Sequence, residues 1–235
     1  MNSSLIRGKT DRIRKAKIKT LQYNIKFVNK IKTVVGNDTL FMSFDTEAYE
    51  KDKTKLTELG WVIFKKNGEI IKQKHGIVKE YYSLRNKDNV PDNKDNCIFS
   101  SDHQSLDEIE KEFVNDLKTV SLLFMTGYDF QYFNPNGKGI IEIRDVYTAF
   151  FLDSPHGLED GLKRCNINYR CLHNAGNDAY YTMKYFLYFL DNFDISERKY
   201  QNILNYPIPS DIVAFDYRNL ENNARFRRLY NYDNW

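Results

Sequence analysis

The stretch "TLFMSFDTEAYE" (residues 39–50) and the longer "TELGWVIFKKNGEIIKQKHGIV" (57–78) decide the fold. The first begins with an apolar run that is typical of a β-strand. The second has two runs of strand-forming residues around Asn67-Gly68, a dipeptide that provides the positive φ angles of a tight hairpin turn. The two stretches therefore predict a sheet that opens with an antiparallel hairpin.

Strands and helices alternate in the sequence that follows the hairpin. An Asn- and Asp-rich loop (85–96) precedes a predicted helix over 105–120, in which Ser105 is the N-cap and Glu108 occupies the capping-box position. The remaining predicted elements are a buried strand over 121–128, another strand over 140–147 and a helix from about Gly157. This alternation is typical of an α/β layer fold with a mixed sheet.

Length and composition favour one domain with extensions. The chain has 235 residues, of which 41% are hydrophobic and 15% are aromatic, enough for one sizeable core. No apolar run approaches the roughly 18 residues of a membrane span, and no segment resembles a secretory signal, so we expect no membrane partner. The three cysteines are an odd number without framework spacing, which indicates a reducing intracellular compartment, either the cytoplasm or the mitochondrion.

Two cysteines lie close to a histidine in the sequence. Cys165, Cys171 and His173 raise the question of a zinc site. The CxxC pairs of structural zinc sites are missing. We therefore favour the interpretation that the cysteines are ordinary buried thiols.

The first 35 residues form a basic arm. They hold ten Lys or Arg residues and one acid, a net charge of +9 compared with +3 for the whole chain. Apolar residues recur in it at steps of three and four, which predicts an amphipathic helix. The stripe consists of Ile18, Leu21, Ile25 and Val28. Three interpretations are open: a nucleic-acid-binding arm, a mitochondrial transit helix, or a solvated helix that packs its stripe on the domain.

The last residues, 219–235, interleave cations with aromatic rings. The residues concerned are Arg225, Phe226, Arg227, Arg228, Tyr230, Tyr232 and Trp235. Such a mixture can pair with phosphates and stack on bases, and the same rings can instead pack against the domain as a C-terminal strap. We therefore divide the chain into a basic arm (1–35), a central α/β domain (36–200) and an aromatic, Arg-rich extension (201–235).

Three carboxylates and one imidazole are the candidate catalytic groups. Asp45 and Glu47 lie two residues apart on a predicted strand, so they project to the same side of the sheet. Asp178 begins the last long helix, and His173 lies five residues earlier on the loop before it. Converging acids suit two Mg²⁺ or Mn²⁺ ions, which activate a water molecule and stabilise the leaving oxygen of a phosphodiester. A nearby histidine can accept the proton of that water.

Short motifs in this order resemble those of DEDDh-type 3′–5′ exonucleases of the ribonuclease H-like superfamily, in particular the fungal Gfd2-like branch. The motifs are "FDTEA" (44–48), "TELG" (57–60), "KHGIVKEYYSLRN" (74–86), "VPDNKDN" (90–96) and "LHNAGNDA" (172–179). The resemblance implies a ribonuclease H-like mixed sheet flanked by helices, with nucleic acid as the partner. It also assigns roles to individual residues: metal binding to Asp45, Glu47 and Asp178, general-base catalysis to His173, and substrate contacts to Thr46, Leu59 and Asn174.

The second motif of that family is altered in this sequence. In "GYDFQYF" (127–133), Tyr128 replaces the expected histidine and Phe133 stands where a metal-supporting aspartate is expected. Asp129 is the remaining candidate ligand, about one helical turn from the expected ligand position at Phe133. Two hypotheses follow. The protein is a metal-dependent 3′–5′ exonuclease, or it is a pseudonuclease that binds nucleic acid as a component of a ribonucleoprotein complex. In both cases RNA is favoured over DNA.

Overall fold

The computed structural model describes residues 3–125, 139–154 and 156–214. The chain divides into two compact units. The larger unit spans residues 28–193, and the described part of the smaller unit comprises residues 3–27 and 194–214. None of the described helices combines the length and apolarity needed to cross a membrane.

A mixed six-stranded sheet forms the centre of the larger unit, with the strand order β4-β3-β2-β1-β5-β6. Its strands are β1 (Leu40–Tyr49), β2 (Asp52–Lys65), β3 (Ile70–Val78), β4 (Asp102–Gln104), β5 (Leu122–Met125) and β6 (Gly139–Glu142). The β1–β2 and β2–β3 pairs are antiparallel, whereas β1–β5, β5–β6 and β3–β4 are parallel. This arrangement confirms the predicted α/β class and is compatible with a ribonuclease H-like fold.

Six helices accompany the sheet. They are α1 (Ser3–Val34), α2 (Leu106–Leu117), α3 (Ile143–Phe151), α4 (Leu158–Arg164), α5 (Ala175–Asn192) and α6 (Arg198–Leu204) among the described residues. Helices α2 and α5 lie on opposite faces of the sheet. On β2, the indole Nε1 of Trp61 donates to Asp116 of α2 (2.8 Å), whereas the α-carbon of the preceding Gly60 abuts Ala175 of α5.

Aromatic side chains fill the space between the sheet and each of these helices. Under α5, the rings of Phe41, Phe64 and Phe124 pack around Phe186, with ring centroids of Phe124 and Phe186 4.0 Å apart. The cluster on the α2 face contains Phe44, Trp61, Ile109, Phe113 and Leu123, among others, all at most 1% exposed. Both faces of the sheet are therefore buried, which fixes α2 and α5 relative to the strands.

The smaller unit pairs the first part of α1 with α6 and the segment after it. Leu21 and Ile25 of the predicted apolar stripe are buried. The amide of Gln22 donates to the carbonyl of Ile203 (2.9 Å), and Lys19 donates to the carbonyl of Ile212 (2.6 Å). The predicted amphipathic helix is thus present, and Leu21, Ile25 and Val28 of its stripe are buried.

Two local predictions are confirmed. The hairpin turn lies at Asn67-Gly68, where Gly68 has φ +87° and its N–H donates to the carbonyl of Lys65 (2.9 Å). Helix α2 begins with the predicted capping box, because Ser105 accepts from the N–H of Glu108 and the Glu108 carboxylate accepts from the N–H of Ser105.

One element was predicted wrongly. The strand expected over 140–147 ends at Glu142, and residues 143–151 form helix α3. Glu142 is buried and caps this helix by accepting from the N–H of Arg144 (3.3 Å), while Asp145 adds an acid in the first turn. An acid at the N-cap and another in the first turn stabilise a helix start and override the strand-like composition. The helix expected from about Gly157 is confirmed as α4.

Candidate metal centre

The carboxylates of β1 lie where this strand leaves the core. Phe41, Met42, Ser43 and Phe44 are at most 1% exposed, whereas Asp45 and Glu47 are half-buried. Side chains alternate along a strand, so Asp45 and Glu47 share the face on which α5 packs. Their partners across the ladder are Gly60 and Glu58 of β2.

The start of α5 brings the other two candidate groups to this face. Asn174 is the N-cap and its side chain accepts from the N–H of Asn177 (3.0 Å), which satisfies a donor of the first turn. His173, one residue earlier, has φ +62° and is exposed. Its backbone N–H donates to the carboxylate of Asp178 (3.0 Å), which orients that acid.

Three of the predicted residues meet in one cluster. Ligand atoms of Glu47, His173 and Asp178 all lie within 4.8 Å of one another. Asp45 does not belong to this group, although it lies on the same strand face two residues from Glu47. The structure thus brings a strand residue and two residues from the start of a helix together across more than 120 positions of sequence.

The chemistry of this cluster suits a divalent cation. Two carboxylates supply the hard oxygen donors that Mg²⁺ and Mn²⁺ prefer, and the imidazole of His173 lies beside them. No cysteine belongs to the cluster among the described residues. Cys165 is instead buried, and burial raises the pKa of its thiol to about 12, which disfavours the thiolate that zinc would need.

Glycines allow α5 to approach the sheet closely beside the cluster. A Cβ atom on Gly60 would lie 2.2 Å from the backbone of Ala175, the first residue of α5. A Cβ atom on Gly176 would lie 2.8 Å from the Cβ of His75 and 2.9 Å from the Sγ of Cys97. Only glycine fits at these two positions, so both hold the helix start at its short distance from β1 and β2.

A buried Glu–His pair on strands β2 and β3 supports the same helix start. Glu58 accepts from the N–H of Ala175 (3.2 Å) and contacts Nε2 of His75 (3.0 Å), while Nδ1 of His75 contacts the Ser101 hydroxyl (2.8 Å). Burial opposes a charge on this ring, but hydrogen bonds with Cys97 and Glu58 outweigh it and raise the pKa of His75 to about 9. The protonated form of the His75 ring is therefore favoured at neutral pH.

Two asparagines clamp the loop before Ile98 onto the helix start. Asn177 is fully buried; its amide donates to the carbonyls of Asn96 (3.0 Å) and Cys171 (2.8 Å), and its oxygen accepts from the N–H of Ile98 (2.8 Å). The amide of Asn174 donates to the carbonyl of Asn93 (2.9 Å). These contacts assign a structural task to the "VPDNKDN" segment (90–96).

The loop that leads to this segment is fastened to the end of β1. The Glu50 carboxylate accepts from the N–H groups of Lys87, Asp88 and Asn89 at 2.9–3.0 Å. These three hydrogen bonds lower the pKa of Glu50 to about 2. The side chain of Asn86 pairs with the backbone of Glu50 as well (2.9 Å). The Asn- and Asp-rich loop is thus anchored at two places, to Glu50 after β1 and to the start of α5.

Sequence reasoning named the residues of the cluster but missed the contacts that support them. Glu58, His75, Asn177 and the glycines that face α5 act through contacts between residues far apart in sequence. The one available signal was "TELG" (57–60), in which an acid and a glycine lie on the same strand face as Asp45 and Glu47.

The predicted substrate-contacting residues have different environments. Leu59 is fully buried in the core on the α2 face, and Thr46 is its half-buried partner across the ladder. Asn174 is fully buried as the N-cap of α5. Their substrate contacts stay predictions. Asp129, the fourth candidate metal ligand, lies outside the described residues. So do the rest of "GYDFQYF" (127–133) and the tail 219–235.

The fold and the cluster together define an α/β protein with a carboxylate–histidine site suited to a divalent cation. Comparison with known families agrees with this class. Residues 40–122 and 114–189 match the DEDDh family described as "DNA polymerase III subunit epsilon-like, C-terminal domain". The chain belongs to this DEDDh exonuclease-like family. The finer assignment to the Gfd2-like branch stays a prediction.

The chain is also similar to a curated protein of Schizosaccharomyces pombe, "Uncharacterized nucleolar protein C2C4.08". The two are 32% identical over 163 residues. The match covers 60% of this chain and 65% of that relative, so it spans just under two thirds of the relative's length.

Proposed function

We propose that the protein is a metal-dependent 3′–5′ exonuclease that acts on single-stranded nucleic acid, RNA in preference to DNA. The observation that carries the proposal is the cluster of Glu47, His173 and Asp178 at the start of α5 in a member of the DEDDh exonuclease-like family. Its supports are the close packing at Gly60 and the clamp at Asn177, which hold the cluster on a rigid element. Such rigid placement is what catalysis by positioned charges requires.

The residues of the site have two roles, metal binding and proton transfer. Glu47 and Asp178, with Asp45 on the same strand face, would hold two Mg²⁺ or Mn²⁺ ions. Such ions, when bound, lower the pKa of a water molecule and stabilise the leaving oxygen of the phosphodiester. His173 is exposed beside both carboxylates, and its imidazole takes the proton from the attacking water. Its own backbone N–H keeps the Asp178 carboxylate oriented.

The cellular setting is part of the proposal. The free cysteines agree with a reducing intracellular compartment. The name of the S. pombe relative places that protein in the nucleolus. We therefore propose the nucleolus, beside the cytoplasm and the mitochondrion, as a location for this chain. A nucleolar location would support RNA as the substrate.

A second candidate function follows from the altered second motif. Phe133 stands where the family has an aspartate, and Tyr128 where it has a histidine. A lost carboxylate weakens the binding of a divalent cation. In this alternative the protein binds RNA without cleaving it and serves as a component of a ribonucleoprotein complex.

One experiment separates the two functions. Purified full-length protein is incubated with 5′-labelled single-stranded RNA or DNA in Mg²⁺, in Mn²⁺ or in chelator. The exonuclease shortens the RNA stepwise from its 3′ end in the presence of either metal and not in chelator. Asp178→Asn abolishes this shortening, whereas Asp38→Asn, which changes an exposed carboxylate outside the cluster, leaves it unchanged.

The results have direct consequences for both proposals. RNA that stays full-length but is bound supports the pseudonuclease. Shortening by Asp178→Asn at the wild-type rate would show that the cluster is not the active site.

A further inference from the structure

A cavity of about 670 Å³ lies on the outer side of α5, away from the sheet. Its walls come from α5, from the loop after α4 and from Ile98. The catalytic proposal does not use this cavity. Its lining is nevertheless unusual, because it combines tyrosine rings with cations instead of an apolar surface alone.

Tyrosine and lysine alternate along the cavity at steps of one helical turn. Tyr180, Lys184 and Tyr188 lie four residues apart in succession on α5, so they form one stripe along the helix. The two tyrosine positions are about 12 Å apart along the helix axis. Both rings are half-buried, and Tyr180 packs edge-on against Tyr181 with centroids 5.4 Å apart, which holds it in place.

Cations accompany the rings on the solvent side. Arg170 and Lys184 are both exposed, and Lys184 Nζ lies 5.6 Å from the centre of the Tyr180 ring. Two cations of the neighbouring helix α4 behave differently, because Lys163 pairs with Glu159 and Arg164 with Asp153. Arg170 and Lys184 are thus exposed cations, and Asp191 is the one acid among the described residues that line the cavity, so the lining favours an anionic ligand.

The cavity is connected to the metal centre by two short links. Arg170 precedes His173 by three residues, and its N–H donates to the hydroxyl of Tyr181 (3.1 Å). Ile98, on the opposite wall, donates its N–H to Asn177, the residue before Asp178 (2.8 Å). The stripe therefore begins in the second turn of α5, after the first turn that carries Asp178, and leads away from Asp178 along the helix.

We propose that this cavity binds single-stranded nucleic acid upstream of the 3′ terminus, with bases stacked on Tyr180 and Tyr188 and phosphates paired with Lys184 and Arg170. This inference rests on the proposed function. Aromatic platforms interleaved with cations are the general means by which proteins hold single strands without reading their sequence. The cavity thus keeps the strand on the protein while its end lies at the metal centre.

Binding is measured in chelator, so that no cleavage interferes, with a labelled single-stranded oligonucleotide of about a dozen nucleotides. Tyr180→Leu and Tyr188→Leu each weaken binding by about tenfold through the loss of stacking. Lys184→Gln weakens it less and makes the dependence of log affinity on log salt shallower by about 0.7. The matched control is Lys111→Gln, which removes a charge from an exposed lysine of α2 on the other face of the sheet.

A charge-reversal variant tests the inference even where the tyrosine variants fail to fold. Lys184 is exposed, so Lys184→Glu keeps the fold, and it should weaken binding several-fold more than Lys111→Glu. An affinity of Tyr188→Leu equal to that of the wild type, together with an affinity of Lys184→Glu equal to that of Lys111→Glu, would overturn the inference. Metal-dependent shortening by the same proteins would then show that the proposed function stands without it. A wild-type protein that binds no oligonucleotide in chelator overturns the inference as well, and the cleavage assay judges the function separately.

Discussion

Helices α2 and α5 begin on opposite faces of one sheet, and their first turns are held in different ways. Helix α2 starts with a capping box in which Ser105 and Glu108 satisfy each other within four residues, in exposed surroundings. Helix α5 starts with buried Asn174 and Asn177, whose amides bind a loop about 80 residues earlier in the chain. The first start serves the helix alone, whereas the second also carries the candidate metal centre.

A helix start becomes more rigid when several other elements hold it. A local cap stabilises one helix end by about 1 kcal/mol. The start of α5 adds a close backbone contact at Gly60, a buried contact between Glu58 and His75, and a buried amide clamp at Asn177. Each of these contacts ties the helix to another element, so the positions of His173 and Asp178 depend on the whole larger unit.

The largest effect is expected from Gly60→Ala. The added Cβ would lie 2.2 Å from the backbone of Ala175, so helix α5 or strand β2 has to move. We expect a loss of about 4 kcal/mol in the free energy of unfolding, at the upper end for overpacked cores. Urea denaturation measures it. Gly36→Ala, where the nearest atom is 3.8 Å away, is the control and should change stability little.

The next effect concerns Asn177→Ala. The change leaves the carbonyls of Asn96 and Cys171 and the N–H of Ile98 without their buried partner, at a cost of about 3 kcal/mol. Hydrogen exchange should accelerate at the Ile98 amide more than in the middle of α5. An unchanged exchange rate at Ile98 would show that the amide clamp does not hold this loop.

Stability should also depend on pH through His75. Its folded-state pKa is raised from 6.5 to about 9, so the protonated ring stabilises the folded protein. This contribution, about 3 kcal/mol at most, is complete below pH 6.5 and is lost as the pH rises through 9. Thermal unfolding between pH 6 and 10 tests it, with Glu58, Cys97 and Ser101 as the groups that face the ring.

The control for this pH dependence is a second histidine. His75→Gln should remove most of the decline between pH 6.5 and 9, whereas His103→Gln, at an exposed position on β4, should keep it. The same decline in His75→Gln as in the wild type would assign it to other groups.

The smallest effect is expected at the start of α2. Ser105→Ala removes one exposed capping interaction and should cost about 1 kcal/mol, with little change near the metal centre. Comparison of its hydrogen-exchange map with that of Asn177→Ala sharpens the contrast between the two helix starts. Faster exchange at residues 93–98 in Ser105→Ala would remove that contrast.

Sequence reasoning succeeded where the physical cause is local. The turn at Asn67-Gly68 and the capping box at Ser105 depend on a few adjacent residues. Strand alternation predicted that Asp45 and Glu47 share a face, whereas the meeting of Glu47 with His173 and Asp178 was implied by the resemblance to DEDDh exonucleases.

It failed at one local signal and where distant residues decide the outcome. The acids Glu142 and Asp145 favour the start of α3, and the strand predicted over 140–147 did not take them into account. His75 was predicted only as part of a strand, since its pairing with Glu58 depends on the register of β2 against β3. The asparagine clamp likewise requires the fold before its partners come together.

The most direct test of the central claim is a titration of Mn²⁺ into the purified full-length protein, followed by electron paramagnetic resonance. The claim is that the start of α5 and the end of β1 form one divalent metal site. We expect Mn²⁺ to bind the wild type and Asp38→Asn equally. Glu47→Gln and Asp178→Asn should each bind at least about tenfold more weakly, the loss that even an outer-shell change can cause. Wild-type affinity in both of these variants would contradict the account.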